Sequence, residues 1–133
     1  RSGRALDQLG RIIAAQGGNA QVIHDTSLMP RAHMISQLYA KHEGKLSATD
    51  CRRLGEVAGM LGAGRVKKDD VIDPAVGFII KKRIGDAVKK GDELFEIHAN
   101  DAHKLKAAKR SLLECITLSQ DAQPLKLIHG YVS

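Results

Sequence analysis

The residues best placed to do chemistry sit in one short stretch, Gly62-Ala63-Gly64-Arg65, followed by Lys67 and Lys68. Glycines beside an arginine can cradle a phosphate through main-chain N–H groups. Phosphate loops of the dinucleotide and P-loop kinds, however, follow a strand and open a helix, so that the positive helix end meets the anion. Here the glycines follow an apolar pattern of helical period, which predicts a glycine C-cap and a turn, with Arg65 near the last helix carbonyls. Asp69, Asp70 and Asp73 could work as paired carboxylates, but beside Lys67 and Lys68 they read as an exposed acidic turn. None of the six histidines, His24, His33, His42, His98, His103 and His129, has a second histidine at the i, i+4 spacing of a helical metal pair. Cys51 and Cys115 lack a histidine at a diagnostic local spacing and read as small core residues. Ser111 and Ser119 have no visible activating partner. The residues therefore predict no catalytic, substrate-binding or metal site in this chain.

The elements that would position this loop follow from periodicity. Leu6, Leu9 and Ile13 predict an amphipathic helix over residues 4–16, stopped by Gly17-Gly18. Residues 19–31 lose that pattern and end near Pro30, which predicts an extended connector and a boundary, with a leader over residues 1–30 and a domain over 31–133. Alternation over residues 35–42 and 45–48, separated by Glu43-Gly44, predicts a hairpin. Thr49 or Asp50 then caps a helix carrying Leu54, Val57, Ala58 and Leu61 on one face, ended by Gly62. Residues 71–99 read as strands: Val76 opens a continuous apolar run to Ile80, Gly85-Asp86 and Gly91-Asp92 are turns, and Phe95, Ile97 and Ala99 alternate with Glu96 and His98. Asn100 or Asp101 caps a third helix with Leu105, Ala108 and Leu112 facing the core, and Leu125, Leu127 and His129 suggest a last strand after Pro124. The class is α+β, since strand-helix-strand units are too few for a doubly wound parallel sheet.

The chain of 133 residues suits one compact domain plus a leader. Its start at Arg1 rather than at a methionine suggests a piece of a longer chain. No apolar run reaches the roughly 20 residues that span a bilayer, and two cysteines give no disulfide framework; a soluble protein of the reducing cytoplasm is expected. The net charge of +6 invites a nucleic-acid partner. The basic residues, however, are scattered in pairs among acids, and only Phe78, Phe95, Tyr39 and Tyr131 could stack on bases. Neither nucleic acid nor membrane is expected as a partner.

Read in order, Leu61-Gly62-Ala63-Gly64-Arg65, Lys68-Asp69-Asp70-Val71-Ile72-Asp73, Val76-Gly77, Ile84-Gly85-Asp86, Lys90-Gly91-Asp92 and Ile97-His98-Ala99-Asn100 resemble the C-terminal domain of the pyrimidine-nucleoside and thymidine phosphorylases. Ala14-Ala15-Gln16-Gly17-Gly18-Asn19 is similar to the end of the helix leading into that domain, with Asn19 where the family usually has Asp. The resemblance implies an α/β-hammerhead domain with two packed helices, in a dimeric cytoplasmic pentosyltransferase. That enzyme uses inorganic phosphate to cleave uridine, thymidine or deoxyuridine to the free pyrimidine and a pentose 1-phosphate. The family's phosphate loop, Lys-His-Ser-Thr-Gly-Gly, and its base-gripping Arg, Ser and Lys belong to an N-terminal catalytic portion, and none of these motifs occurs here. The resemblance thus implies a scaffold without cofactor, whose partner is that catalytic portion; the glycines and cations of the loop point to Gly62, Gly64, Arg65 and Lys68 as the part nearest the cleft. Two other readings stand beside it. Ile84-Gly85-Asp86, Val88, Lys90-Gly91-Asp92 and Leu94 also resemble half of a biotinyl or lipoyl carrier, although Asp101 stands where the carrier lysine would be. A free-standing interaction module is the third.

Overall fold

The computed structural model describes residues 2–65, 67–128 and 130. The chain divides into two compact units, Arg1–Arg31 and Ala32–Ser133. In the first, α1 spans Arg4–Ala15, and its end is closed by Gly17 in the left-handed region and by the Gly18 N–H donating to the Ile13 carbonyl at 2.9 Å. The expected extended connector is instead two 3-10 turns, Ala20–Ile23 and Thr26–Leu28. Each begins at a side chain that bonds its own backbone two residues on: Asn19 accepts from the Gln21 N–H at 3.0 Å and Asp25 from the Ser27 N–H at 2.9 Å. Gly10 is buried beneath the first turn, where a Cβ would stand 2.8 Å from Ile23 Cδ1.

The second unit holds six strands and two helices among the described residues: β1 Met34–Tyr39, β2 Gly44–Thr49, α2 Cys51–Leu61, β3 Gly77–Ile80, β4 Ala87–Val88, β5 Glu93–Ala99, α3 Ala102–Glu114 and β6 Ile116–Ser119. The odd strands form one antiparallel sheet in the order β1-β5-β3 and the even strands another in the order β4-β2-β6. The predicted β1-β2 hairpin therefore does not exist. Gly44 serves close approach rather than a hairpin turn, since a Cβ there would meet the Ser119 carbonyl of β6 at 3.0 Å. The chain crosses between the sheets through two turns of one kind, Arg83 to Asp86 and Lys89 to Asp92. Each has glycine third at positive φ, Gly85 at 96° and Gly91 at 90°, and an aspartate fourth that accepts from the first residue's N–H.

Phe95, Ile97 and Ala99 point inward from β5 as the alternation predicted, and join Leu54, Val57 and Leu61 of α2 and Ala108 and Leu112 of α3 in the core. Asp50 caps α2 by accepting from the Arg53 N–H at 3.0 Å, and its own N–H donates to the Cys115 carbonyl at the end of α3. The Arg53–Glu114 ion pair adds a second tie between the two helices. Two expectations are corrected. Cys115 is buried as predicted but Cys51, at the first position of α2, is exposed. Among the described residues the last strand is β6, pairing with β2; Leu125 and Leu127 are exposed in irregular chain, and His129 lies outside the described residues.

Candidate functional site

The glycine-basic loop leaves α2 through Gly62, whose φ of 113° is available to glycine without strain. The main-chain N–H groups of Gly62 and Ala63 take the free carbonyls of Gly59 and Ala58, so the bonds that close the helix come from backbone, not from Arg65. Gly64 lies over the helix, where a Cβ would touch Gly59 Cα at 3.5 Å. Arg65, Lys67, Lys68 and Asp69 face solvent, and Lys67 and Asp70 close a turn, the Asp70 carboxylate accepting from the Lys67 N–H at 2.8 Å. The three aspartates do not converge as an acid–base pair: Asp70 serves this turn and Asp73 the loop's far end. Val71 is 91 % exposed, an aliphatic side chain that nothing in this unit covers.

The loop is fastened at its base. The Asp73 N–H donates to the Gly62 carbonyl at 2.9 Å, joining the two ends. The Asp73 carboxylate accepts from the Ala75 N–H at 2.9 Å and from Asn100 Nδ2 at 2.7 Å. These donors, the Ala75 N–H foremost, hold the Asp73 carboxyl below its ordinary value. Asn100 Oδ1 accepts in turn from the His33 N–H at 2.7 Å. Next in the chain, Asp101 caps α3 by accepting from the N–H groups of His103 and Lys104. Residues 98–101 are thus a strand-to-helix junction and not the hairpin tip on which a carrier presents its lysine.

A second polar group lies on the outer face of the odd-strand sheet. Lys81 Nζ donates to Glu96 at 2.9 Å, and His98 Nε2 lies 2.9 Å from the other Glu96 oxygen. Lys81 first and His98 second hold the Glu96 carboxyl below its ordinary range, while Glu96 above all raises Lys81. The pairing register sets exposed Ile35 opposite His98 and exposed Ile79 opposite Glu96. Sequence alternation placed Glu96 and His98 on one face, but Lys81 joins them only through the pairing of β3 with β5, which no local pattern announces. A groove of about 470 Å³ opens away from both groups, over Leu94, Leu113, Ile116 and Leu118 with Lys41, His42 and Glu43 alongside; none of the loop residues borders it. Among the described residues, no three His, Cys, Asp or Glu side chains group as metal ligands would, and no helix is long and apolar enough to cross a membrane.

Comparison with known proteins gives this geometry a family. Residues 45–119 match the family described as the pyrimidine nucleoside phosphorylase C-terminal domain. The whole chain is 41% identical to a pyrimidine-nucleoside phosphorylase of Geobacillus stearothermophilus, of which it spans 31%. It is 32% identical over its whole length to the pyrimidine-nucleoside phosphorylase of Bacillus subtilis. It is 33% identical, over 99% of its length, to that of Staphylococcus haemolyticus, and spans 30% of each of these two proteins. The chain thus covers under a third of the curated relatives it matches. With the matched segment running from β2 through the fastened loop to the end of β6, the chain belongs to the pyrimidine nucleoside phosphorylase C-terminal domain family.

Proposed function

We propose that this chain is the C-terminal scaffold of a pyrimidine-nucleoside phosphorylase, an enzyme that transfers the pentose of uridine, thymidine or deoxyuridine from the base to inorganic phosphate. The observation that carries the reading is similarity running along the entire chain to proteins of that name, of which the chain spans about 30%. Its partner is the N-terminal catalytic portion of the same polypeptide, and the working enzyme is a cytoplasmic homodimer. Within it, residues 1–30 lead from the preceding phosphate-binding domain and residues 31–133 form the hammerhead domain. The loop bearing Gly62, Gly64, Arg65 and Lys68 faces the cleft where phosphate and nucleoside meet. Its exposed cations and the uncovered Val71 support that orientation. A domain of this kind contributes by holding reactants together, an effect worth up to roughly 7–11 kcal/mol at the barrier when geometry is right.

The test uses the full-length protein and this chain side by side, with uridine and phosphate. The full-length protein is expected to release uracil and the chain alone none; release by the chain would sink the scaffold reading. In the full-length protein, Arg65→Ala is expected to lower kcat/KM by about tenfold, the size of one charged contact near a reacting phosphate. Unchanged kcat/KM would remove the loop from the cleft.

A further inference from the structure

Asn100 joins three distant parts of the chain through one amide. Its oxygen takes the His33 N–H at the entrance to β1, and its nitrogen donates to the Asp73 carboxylate at the end of the glycine-basic loop, both at 2.7 Å. Its own main chain joins β5 to α3. The two partners are a main-chain donor and a carboxylate, so the amide has one sensible orientation, oxygen toward His33 and nitrogen toward Asp73. Neither a carboxylate nor a hydrocarbon of this shape could serve both. The two ends of the loop, Gly62 and Asp73, meet in a main-chain bond, and Arg65, Lys67, Lys68 and Val71 stand in solvent. An exposed loop of this length samples many conformations unless its base is tied, and its placement is then inherited from the tie.

We propose that Asn100 is a positioning residue for phosphorolysis: by bridging the His33 N–H and the Asp73 carboxylate, it holds the loop of Gly62, Gly64, Arg65 and Lys68 in the placement from which it serves the phosphate cleft. This rests on the reading of that loop as cleft-facing. Asn100 touches no reactant; it acts through Asp73 and the loop.

The chemistry of the bridge supplies its own control. Asn100→Asp keeps an acceptor for His33 but sets two carboxylates face to face, whereas the exchanged pair Asp73→Asn with Asn100→Asp restores every bond, the side-chain bond between positions 73 and 100 alone having its polarity reversed. In that double variant the amide oxygen at position 73 accepts from the Ala75 N–H and its nitrogen donates to the carboxylate at position 100. In the full-length protein, Asn100→Asp should speed amide exchange across residues 62–73 and raise KM for phosphate by about tenfold, the effect of losing a charge-assisted hydrogen bond. The exchanged pair should return both to within about twofold of the starting protein. Unchanged loop exchange in Asn100→Asp overturns the bridge and leaves the cleft role of the loop to be judged by Arg65→Ala. A loosened loop with unaltered kcat/KM overturns positioning for the reaction and removes the cleft-facing reading with it. Failure of the exchanged pair to recover also overturns the proposal, because the polarity of the bridge is then not what matters.

Discussion

Single carboxylates do much of the local work in this chain, each by accepting from a defined donor. Asp92 is held below its ordinary value of 3.8, by Lys82 Nζ first and by the Lys89 N–H second. Asp73 and Asp101 are lowered too, chiefly by backbone donors. A carboxyl whose folded pKa is depressed binds its proton more readily in the unfolded chain. Its stabilisation is complete above the unfolded value and is lost as pH falls through the folded one. Unfolding free energy from urea titrations should therefore drop as pH goes below 3.8, and the drop should be shallower in Asp92→Asn, which has no charge to lose at that turn. An equal slope in the variant would show that Asp92 is not among the groups responsible. Lys81 has the opposite sense: its folded value is raised above 10.5, mainly by Glu96, so its contribution is complete below 10.5 and fades as pH rises through the folded value.

At the scale of elements, Asp50 is the point where α2 begins and where the end of α3 is tied to it. Asp50→Ala removes the side-chain cap while leaving the main-chain bond to Cys115, and is expected to cost about 1 kcal/mol in denaturant unfolding. A loss near zero would mean that the helix start is held by packing alone. The helices were the legible part of the sequence. Leu54, Val57 and Leu61, the aspartate before them and the glycine after them all carry local signals, and α3 repeats the capping aspartate and the apolar face, from Asp101 to Leu112, without the closing glycine. Inward and outward residues of β5 were legible for the same reason, since alternation is local. Strand partners were not. Glu43-Gly44 carries the composition of a hairpin turn, yet Gly44 is needed for contact with β6, a requirement set more than seventy residues away. β6 itself escaped notice because it follows α3 with no glycine or proline between, while the apolar residues after Pro124 imitated it. The candidate loop was legible as glycines and cations, and its fastening by Asn100 was not, because one side chain meets partners at sequence separations of 67 and 27.

Over the molecule as a whole, the second unit is governed by the alternation of strands between its two sheets. Neither sheet contains a pair of consecutive strands among β1 to β6, and a shared core lies between them and the two helices. Loss of one sheet would therefore drag the connecting turns out of the other. The expected result is a single cooperative opening, with amides of the β1-β5 pair and of the β2-β6 pair exchanging at the same free energy in native-state hydrogen exchange. Two distinct values would show that the sheets behave as separate units.

The same alternation governs how the chain comes off the ribosome. Met34 is made long before its partner Ala99, and Thr49 long before Ile116, so β1 and β2 emerge with unpaired edges and no neighbour in sequence to shelter them. Local helices can form meanwhile, but β1 has no partner until β5 is made, and β2 has both of its neighbours only once β6 is made.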